Sequence, residues 1–152
     1  MEYEILSKDI KLRWIENFAW KNERYTQVSG YVFDGENRLL IVKSEAWTIP
    51  GGHPERGETP LETLVREIAE EACVTVKDAR YLGAVEVVEK GERYYQLRYI
   101  AKIDEILHFK AEWEVSERAF VALDGLDNYI KWANGATFRA QLESAKKFLK
   151  NS

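Results

Sequence analysis

The sequence predicts an α/β sandwich on three observations. Short runs rich in β-branched and aromatic residues fall into hairpin pairs, a sharply capped amphipathic helix follows a Pro-Gly-Gly turn, and a second amphipathic helix comes near the C-terminal end. Gln27 to Phe33 and Leu39 to Lys43 read as two antiparallel strands joined by Asp34-Gly35-Glu36-Asn37, which has hairpin-turn chemistry. Trp47 to Ile49 reads as a short third strand that Pro50-Gly51-Gly52 ends, because proline cannot donate to a ladder. A loop is expected after it. Tyr81 to Glu89 and Tyr94 to Lys102 form a second hairpin around Lys90-Gly91-Glu92, and Ala119 to Leu123 one more strand. Phe138 to Leu149 closes the order as a helix with Phe138, Leu142, Ala145, Phe148 and Leu149 on one face.

A chain of 152 residues, 45% of them apolar, suits a single domain, residues 1–152, with a sizeable core. The 32% charged residues net only −4, which is an ordinary solvated surface. No apolar run approaches the roughly 20 residues of a membrane span. The N-terminus MEYEILSKDI lacks both a basic start and an apolar signal core, and the expectation is a cytoplasmic protein. Cys73 is the lone cysteine, with no partner for a disulfide or a zinc site. An acidic chain without a basic tract makes nucleic acid a poor partner, because that affinity comes from Lys and Arg on phosphates.

The most informative stretch is GGHPERGETPLETLVREIAEEACVTV, residues 51–76, with six glutamates in 26 positions. Thr59 is placed to N-cap, Pro60 suits the first helical position, and Glu62 completes a capping box, so a helix starts at about residue 60. Leu61, Leu64, Val65, Ile68, Ala69 and Ala72 share one apolar stripe, predicted to face the core. Glu67, Glu70 and Glu71 are predicted on the far, solvated side, with Arg66 next to Glu70 at i, i+4. The like-charged pair Glu67 and Glu71 costs an isolated helix about 0.2–0.5 kcal/mol. A divalent cation removes that penalty, and converging carboxylates suit hard Mg²⁺ or Mn²⁺.

This stretch resembles the signature of the Nudix hydrolases: Gly52, five residues, Glu58, seven residues, then Arg66-Glu67-Ile68-Ala69-Glu70-Glu71-Ala72-Cys73-Val74. The box covers residues 52–74, and the single departure is Cys73 where the family has glycine. A glycine just past a helix often holds a left-handed backbone, so the departure bears on the local turn. The resemblance implies a mixed β-sheet between helices and Mg²⁺- or Mn²⁺-dependent hydrolysis of a nucleoside diphosphate linked to another group. Nucleoside triphosphates, oxidised nucleotides, sugar nucleotides and dinucleotides are the subclasses; homodimers are frequent among members. It implies Glu67 and Glu71 as principal metal ligands, Glu70 as a further ligand or the group that orients water, and the Gly51 carbonyl as completing the cage. Arg66 is then a buttress of the glutamates, and Glu58 ties the loop to the helix. The base sometimes lies on a later loop, where Glu114 and Glu117 are candidates and Glu117, next to the strand at Ala119, ranks first. The alternative is a family-like binding or regulatory module without turnover, a reading that Cys73 favours and the intact Arg-Glu-x-x-Glu-Glu opposes.

For the substrate, Trp47, Tyr25, Trp20, Trp113 and Tyr95 are candidates to stack on a base, against the core packing that most aromatics take. Trp47, close to the Pro-Gly-Gly turn, is the first choice. Arg24, Arg93 and Arg98 are candidates to grip phosphate, against the alternative of solvated strand arginines.

Overall fold

In the computed structural model, which describes residues 1–151, the chain begins with two strands not predicted from sequence, β1 (Glu4–Ile5) and β2 (Ile10–Glu16). Ile10, Leu12 and Trp14 alternate with Lys11 and Arg13 along β2 and pack into the core. β3 (Tyr25–Phe33) and β4 (Leu39–Lys43) are the predicted hairpin. β5 (Trp47–Thr48) stops before Ile49, and Gly51–Gly52 forms β6 where a loop was expected. After α1 (Pro60–Ala72), β7 (Val74–Glu89) and β8 (Glu92–Ile106) extend the second hairpin well beyond Tyr81 and Lys102. β9 (Glu117–Val121) starts earlier than predicted, and Leu123–Asn128 is a 3-10 helix before α2 (Ala136–Lys150).

The strands run β1-β2-β7-β8-β3-β4-β5 across one sheet, with β6 added to β3 and β9 to β4. β3 and β8 are parallel whereas β2–β7, β7–β8 and β3–β4 are antiparallel, so the sheet is mixed. Alternation along β3 sends Tyr31 and Phe33 to the face that α2 covers with Phe138 and Ala145. Val28 and Val32 go to the opposite face, under Leu64, Ile68 and Ala72 of α1. The result is an α/β/α sandwich.

α1 lies close to β3 because Gly30 has no side chain; a Cβ there would stand 3.0 Å from the Leu64 Cδ1. Leu64 and Ile68 are fully buried, each contributing about 1.5–3 kcal/mol. The orientation of α1 departs from the apolar stripe. Leu61 and Val65 are 42% and 45% exposed and Ala69 is exposed, while Thr63 is buried and Glu67 half-buried. The helix is therefore turned so that its acidic side, predicted to face water, leans on the Gly51–Gly52 strand. No helix among the described residues is long and apolar enough to cross a membrane.

Candidate active site

α1 is fixed at its start by local chemistry. The Thr59 Oγ1 accepts from the Glu62 amide at 3.2 Å, and the Glu62 carboxylate accepts from the Thr59 amide at 3.0 Å, with Pro60 opening the helix. Its end is fixed from afar. Cys73 takes the left-handed conformation, φ 55° and ψ 46°, and donates its amide to the Ala69 carbonyl at 3.1 Å. Arg118 of β9 then donates to the Ala72 and Cys73 carbonyls at 2.7 and 3.2 Å, placing a cation where the helix leaves carbonyls unpaired. Cysteine thus occupies the conformation expected of the glycine it replaces.

Between these ends Arg66 organises the acidic side. Its Nε donates to Glu58 Oε2 at 2.6 Å and Nη2 to Glu58 Oε1 at 3.0 Å, a two-pronged grip. Nη1 donates to Glu67 Oε1 at 2.9 Å and to Glu70 Oε2 at 3.2 Å, and Nη2 also reaches the His53 carbonyl at 3.1 Å. Glu58 further accepts from the Thr63 hydroxyl and the Glu55 amide, so one carboxylate ties the loop to the helix. The hydrogen bonds from Arg66 foremost hold the Glu58 carboxyl down at about 2.

Glu71 is held differently: its Oε1 accepts from the Gly51 amide at 2.8 Å. Gly51 pairs with Ser29 and Gly52 with Val28 across β3, which brings the glycine strand beneath the carboxylates. A Cβ on Gly51 would overlap Ser29 and the Val28 carbonyl, and one on Gly52 would overlap the Glu67 carboxylate. Only glycines fit. Burial, with the charges of Glu67 and Glu70, outweighs the Gly51 amide and pushes the Glu71 carboxyl up to about 7. Burial also raises Glu67, against the pull of Arg66.

These residues fit a hard divalent cation by donor type and by electrostatic need. Among the described residues, the second oxygen of Glu67, Glu70 and Glu71 accepts no hydrogen bond, and the three carboxylates stay half-buried. As they stand, Arg66 and Gly51 hold them, and no three His, Cys, Asp or Glu side chains among the described residues are gathered tightly enough to enclose an ion. Gly51 meets the cluster through its amide.

A cleft of about 380 Å³ lies over the cluster, lined by Arg66, Glu67, Glu70 and Glu71 together with Trp113 and Glu114. Trp113 is 72% exposed and left-handed at φ 58°. Glu114 lines this cleft and Glu117 does not; Glu117 is the first residue of β9, with its carboxylate 3.5 Å from the Lys43 ammonium. The substrate candidates are scattered. Trp47 packs edge-on against Tyr129 on the α2 side, Arg24 pairs with Glu92 at 3.7 Å, and Tyr25 packs edge-on against Trp20. None of these three lines the cleft. Arg98, expected on the surface if not on phosphate, is buried. Arg118 and Glu55 were not singled out from sequence; Glu55 lies in the signature loop, but only the fold brings Arg118 to α1.

A NUDIX domain model matches residues 23–141. An ADP-ribose pyrophosphatase of Methanocaldococcus jannaschii is 27% identical over 146 residues, covering 84% of this chain and 86% of that protein. Diphosphoinositol polyphosphate phosphohydrolase 2 of Mus musculus is 38% identical over 85 residues, covering 53% of this chain. The matched stretch spans 45% of that mouse protein. Among solved structures, a Bacillus subtilis pyrophosphohydrolase superposes with a TM-score of 0.79 at 20% identity over 97% of both chains. With the family model spanning most of its length and the sandwich matching, the chain belongs to the Nudix family.

Proposed function

We propose that this protein hydrolyses the diphosphate linkage of a nucleoside diphosphate joined to another group, with Mg²⁺ or Mn²⁺ bound at Glu67, Glu70 and Glu71. It is a hydrolase acting on phosphoric anhydrides, as the names of its relatives support. The observation that carries the reading is the half-buried carboxylate cluster on the Gly51–Gly52 strand, with Glu71 pushed up to about 7. Bound at this cluster, the ion supplies neutralising charge for phosphoryl oxygens and a more acidic water.

The chain's own residues divide the remaining work. Glu67 and Glu71 would be the principal ligands, and the carbonyl of Gly51, whose amide holds Glu71, would complete the cage. Glu70 is a further ligand or takes the proton of the attacking water at phosphorus. Glu114, which lines the same cleft as Glu70, is the second candidate for that proton, ahead of Glu117 because of its place in the lining. Arg66 acts through position, holding Glu67 and Glu70 while Glu58 fixes its own guanidinium. The reading as a module without turnover rested on Cys73, and a cysteine already in the left-handed conformation gives it no support.

The test is a substrate panel. Purified protein with Mg²⁺ is incubated with ADP-ribose, sugar nucleotides, nucleoside triphosphates and dinucleoside polyphosphates, and products are resolved by chromatography. Release of a nucleoside monophosphate, pyrophosphate or phosphate, lost in Glu70→Gln and Glu71→Gln, is expected. Saturable binding with no product from any compound would overturn the reading.

A further inference from the structure

Glu70 and Glu71 stand in the last turn of α1 with no basic residue beside them, and carboxylates have the wrong sign for the carbonyl end of a helix. Arg118 brings the missing cation from β9. A single nitrogen, Nη1, donates to the Ala72 carbonyl at 2.7 Å and to the Cys73 carbonyl at 3.2 Å. Both acceptors belong to the backbone, so the Cys73 side chain takes no part. No Asp or Glu among the described residues pairs with Arg118, and its guanidinium carbon lies 5.3 Å from the centre of the Phe109 ring and 5.8 Å from that of Phe120.

The Phe109 contact brings in a second element. Residues 107–116 join β8 to β9 without helix or strand, and they contribute Trp113 and Glu114 to the lining of the carboxylate cleft. This segment is tied down at both ends. At its start the Leu107 amide donates at 2.9 Å to the Cys73 carbonyl, the same oxygen that Arg118 takes. At its end Val115 is buried in the core that holds Leu64, Ile68 and Ala72 of α1, and the Ser116 amide donates to the Lys43 carbonyl at 2.8 Å. Arg118 follows two residues later, so one guanidinium meets the end of the helix, the stem of the segment and the strand that the segment enters.

Between these anchors a tight turn aims the side chains. The Val115 amide donates to the Glu112 carbonyl at 3.3 Å, closing the turn on Trp113 and Glu114, with Trp113 left-handed inside it. Among the described residues the Glu114 carboxylate has no hydrogen-bond or ion-pair partner of its own. Its place in the cleft therefore depends on the backbone that carries it. Arg118 itself does not line the cleft.

We propose that Arg118 is a positioning residue of the hydrolysis that acts through Glu114: by clamping the end of α1, Phe109 and the start of β9 together, it sets the place of that carboxylate in the cleft that Glu67, Glu70 and Glu71 share. A group misplaced by about 1 Å loses about 10²-fold in rate, so a clamp outside the cleft is felt in turnover. Lysine would not substitute fully, because it keeps the charge at the helix end but has no flat face for Phe109. This rests on the hydrolase reading, and hydrogen exchange is included in the test because it needs no turnover.

The test is a double-mutant cycle on kcat with Arg118→Met, Glu114→Gln and the double variant, run beside Mn²⁺ affinity and amide hydrogen exchange of residues 107–116. Glu114→Gln should lower kcat by about 10²-fold or more. Arg118→Met should lower kcat by about 10–100-fold at unchanged Mn²⁺ affinity, and the double variant should be no slower than Glu114→Gln alone. Exchange across residues 107–116 should quicken at least about tenfold in Arg118→Met, for the loss of a charged hydrogen bond. Arg118→Lys should give the same pattern with a smaller loss, and it carries the test if Arg118→Met fails to fold. Wild-type kcat in Arg118→Met or in Glu114→Gln, or losses that multiply in the double variant, would overturn the proposal. A fall in Mn²⁺ affinity that matches the fall in kcat would overturn it too, by making Arg118 a support of α1 alone. Quickened exchange in a protein that turns over no compound would sink the hydrolase reading and uphold the clamp, whereas unchanged exchange in a protein that turns over would sink the clamp alone.

Discussion

The Glu71 carboxylate accepts the Gly51 backbone amide at 2.8 Å, tying the acidic side of α1 to a glycine strand twenty residues earlier in the chain. The bond is neutral-to-charged and half-buried, and it does not offset the desolvation of Glu71, whose carboxyl stays at about 7 against an ordinary 4.5. The folded protein therefore holds this proton more tightly than the unfolded chain. That stabilisation is fully present below pH 4.5 and lost as pH rises through about 7. Without divalent ions, the melting temperature should fall from about pH 5 to 8. Millimolar Mg²⁺ should restore it, and Glu71→Gln should flatten the slope; an unchanged slope in the variant would count against this origin.

Glu58 works in the opposite sense. Held at about 2 by Arg66, it adds stability that is present above pH 4.5 and lost as pH falls through about 2. Its larger role is positional. Glu58→Gln should lower kcat by about 10–100-fold while the protein remains folded, because a loosened Arg66 no longer fixes Glu67 and Glu70. Steady-state kinetics with circular dichroism would check this, and a wild-type kcat would contradict it.

Gly52→Ala separates backbone fit from chemistry. The added methyl overlaps the Glu67 carboxylate, which must shift by a distance of the kind that costs about 10²-fold in rate. Activity should fall on that scale with little change in thermal stability. Retained activity would show that Glu67 does not need its present position.

Much of α1 is legible from sequence because its signals are local: Thr59, Pro60 and Glu62 make their cap within four residues. The rotation of the helix is not. Counting apolar residues puts Leu61, Val65 and Ala69 inward, but burial of Glu67 and Glu71 depends on partners from elsewhere, the Gly51 amide and the Arg66 network. β2 carried a readable alternation at Ile10, Leu12 and Trp14, yet its partner β7 lies far along the chain, from Val74 to Glu89. Arg98 follows Leu97 on β8 and reads as outward-facing; because β8 is flanked by β7 and β3 in a sheet covered on both faces, neither side is wet. Arg118 reaches the carbonyls of α1 across 46 residues, which no local pattern announces.

Cys73 gives a stability prediction. A non-glycine residue in the left-handed region costs roughly 1–2 kcal/mol, and glycine returns part of that through unfolded-state entropy of about 0.5–1 kcal/mol. Cys73→Gly should therefore be more stable by up to about 1 kcal/mol, a rise of roughly 2–4 °C in Tm, with turnover unchanged. A loss of turnover would assign the thiol a role in the chemistry.

The most direct measurement is a Mn²⁺ titration followed by electron paramagnetic resonance, on the wild type and on Glu67→Gln and Glu71→Gln, with a nucleotide present. Saturable binding to the wild type, weakened at least about tenfold in each variant, is the expected result. Equal affinity in all three proteins, or no binding to any, would contradict a divalent ion held by the carboxylates of α1.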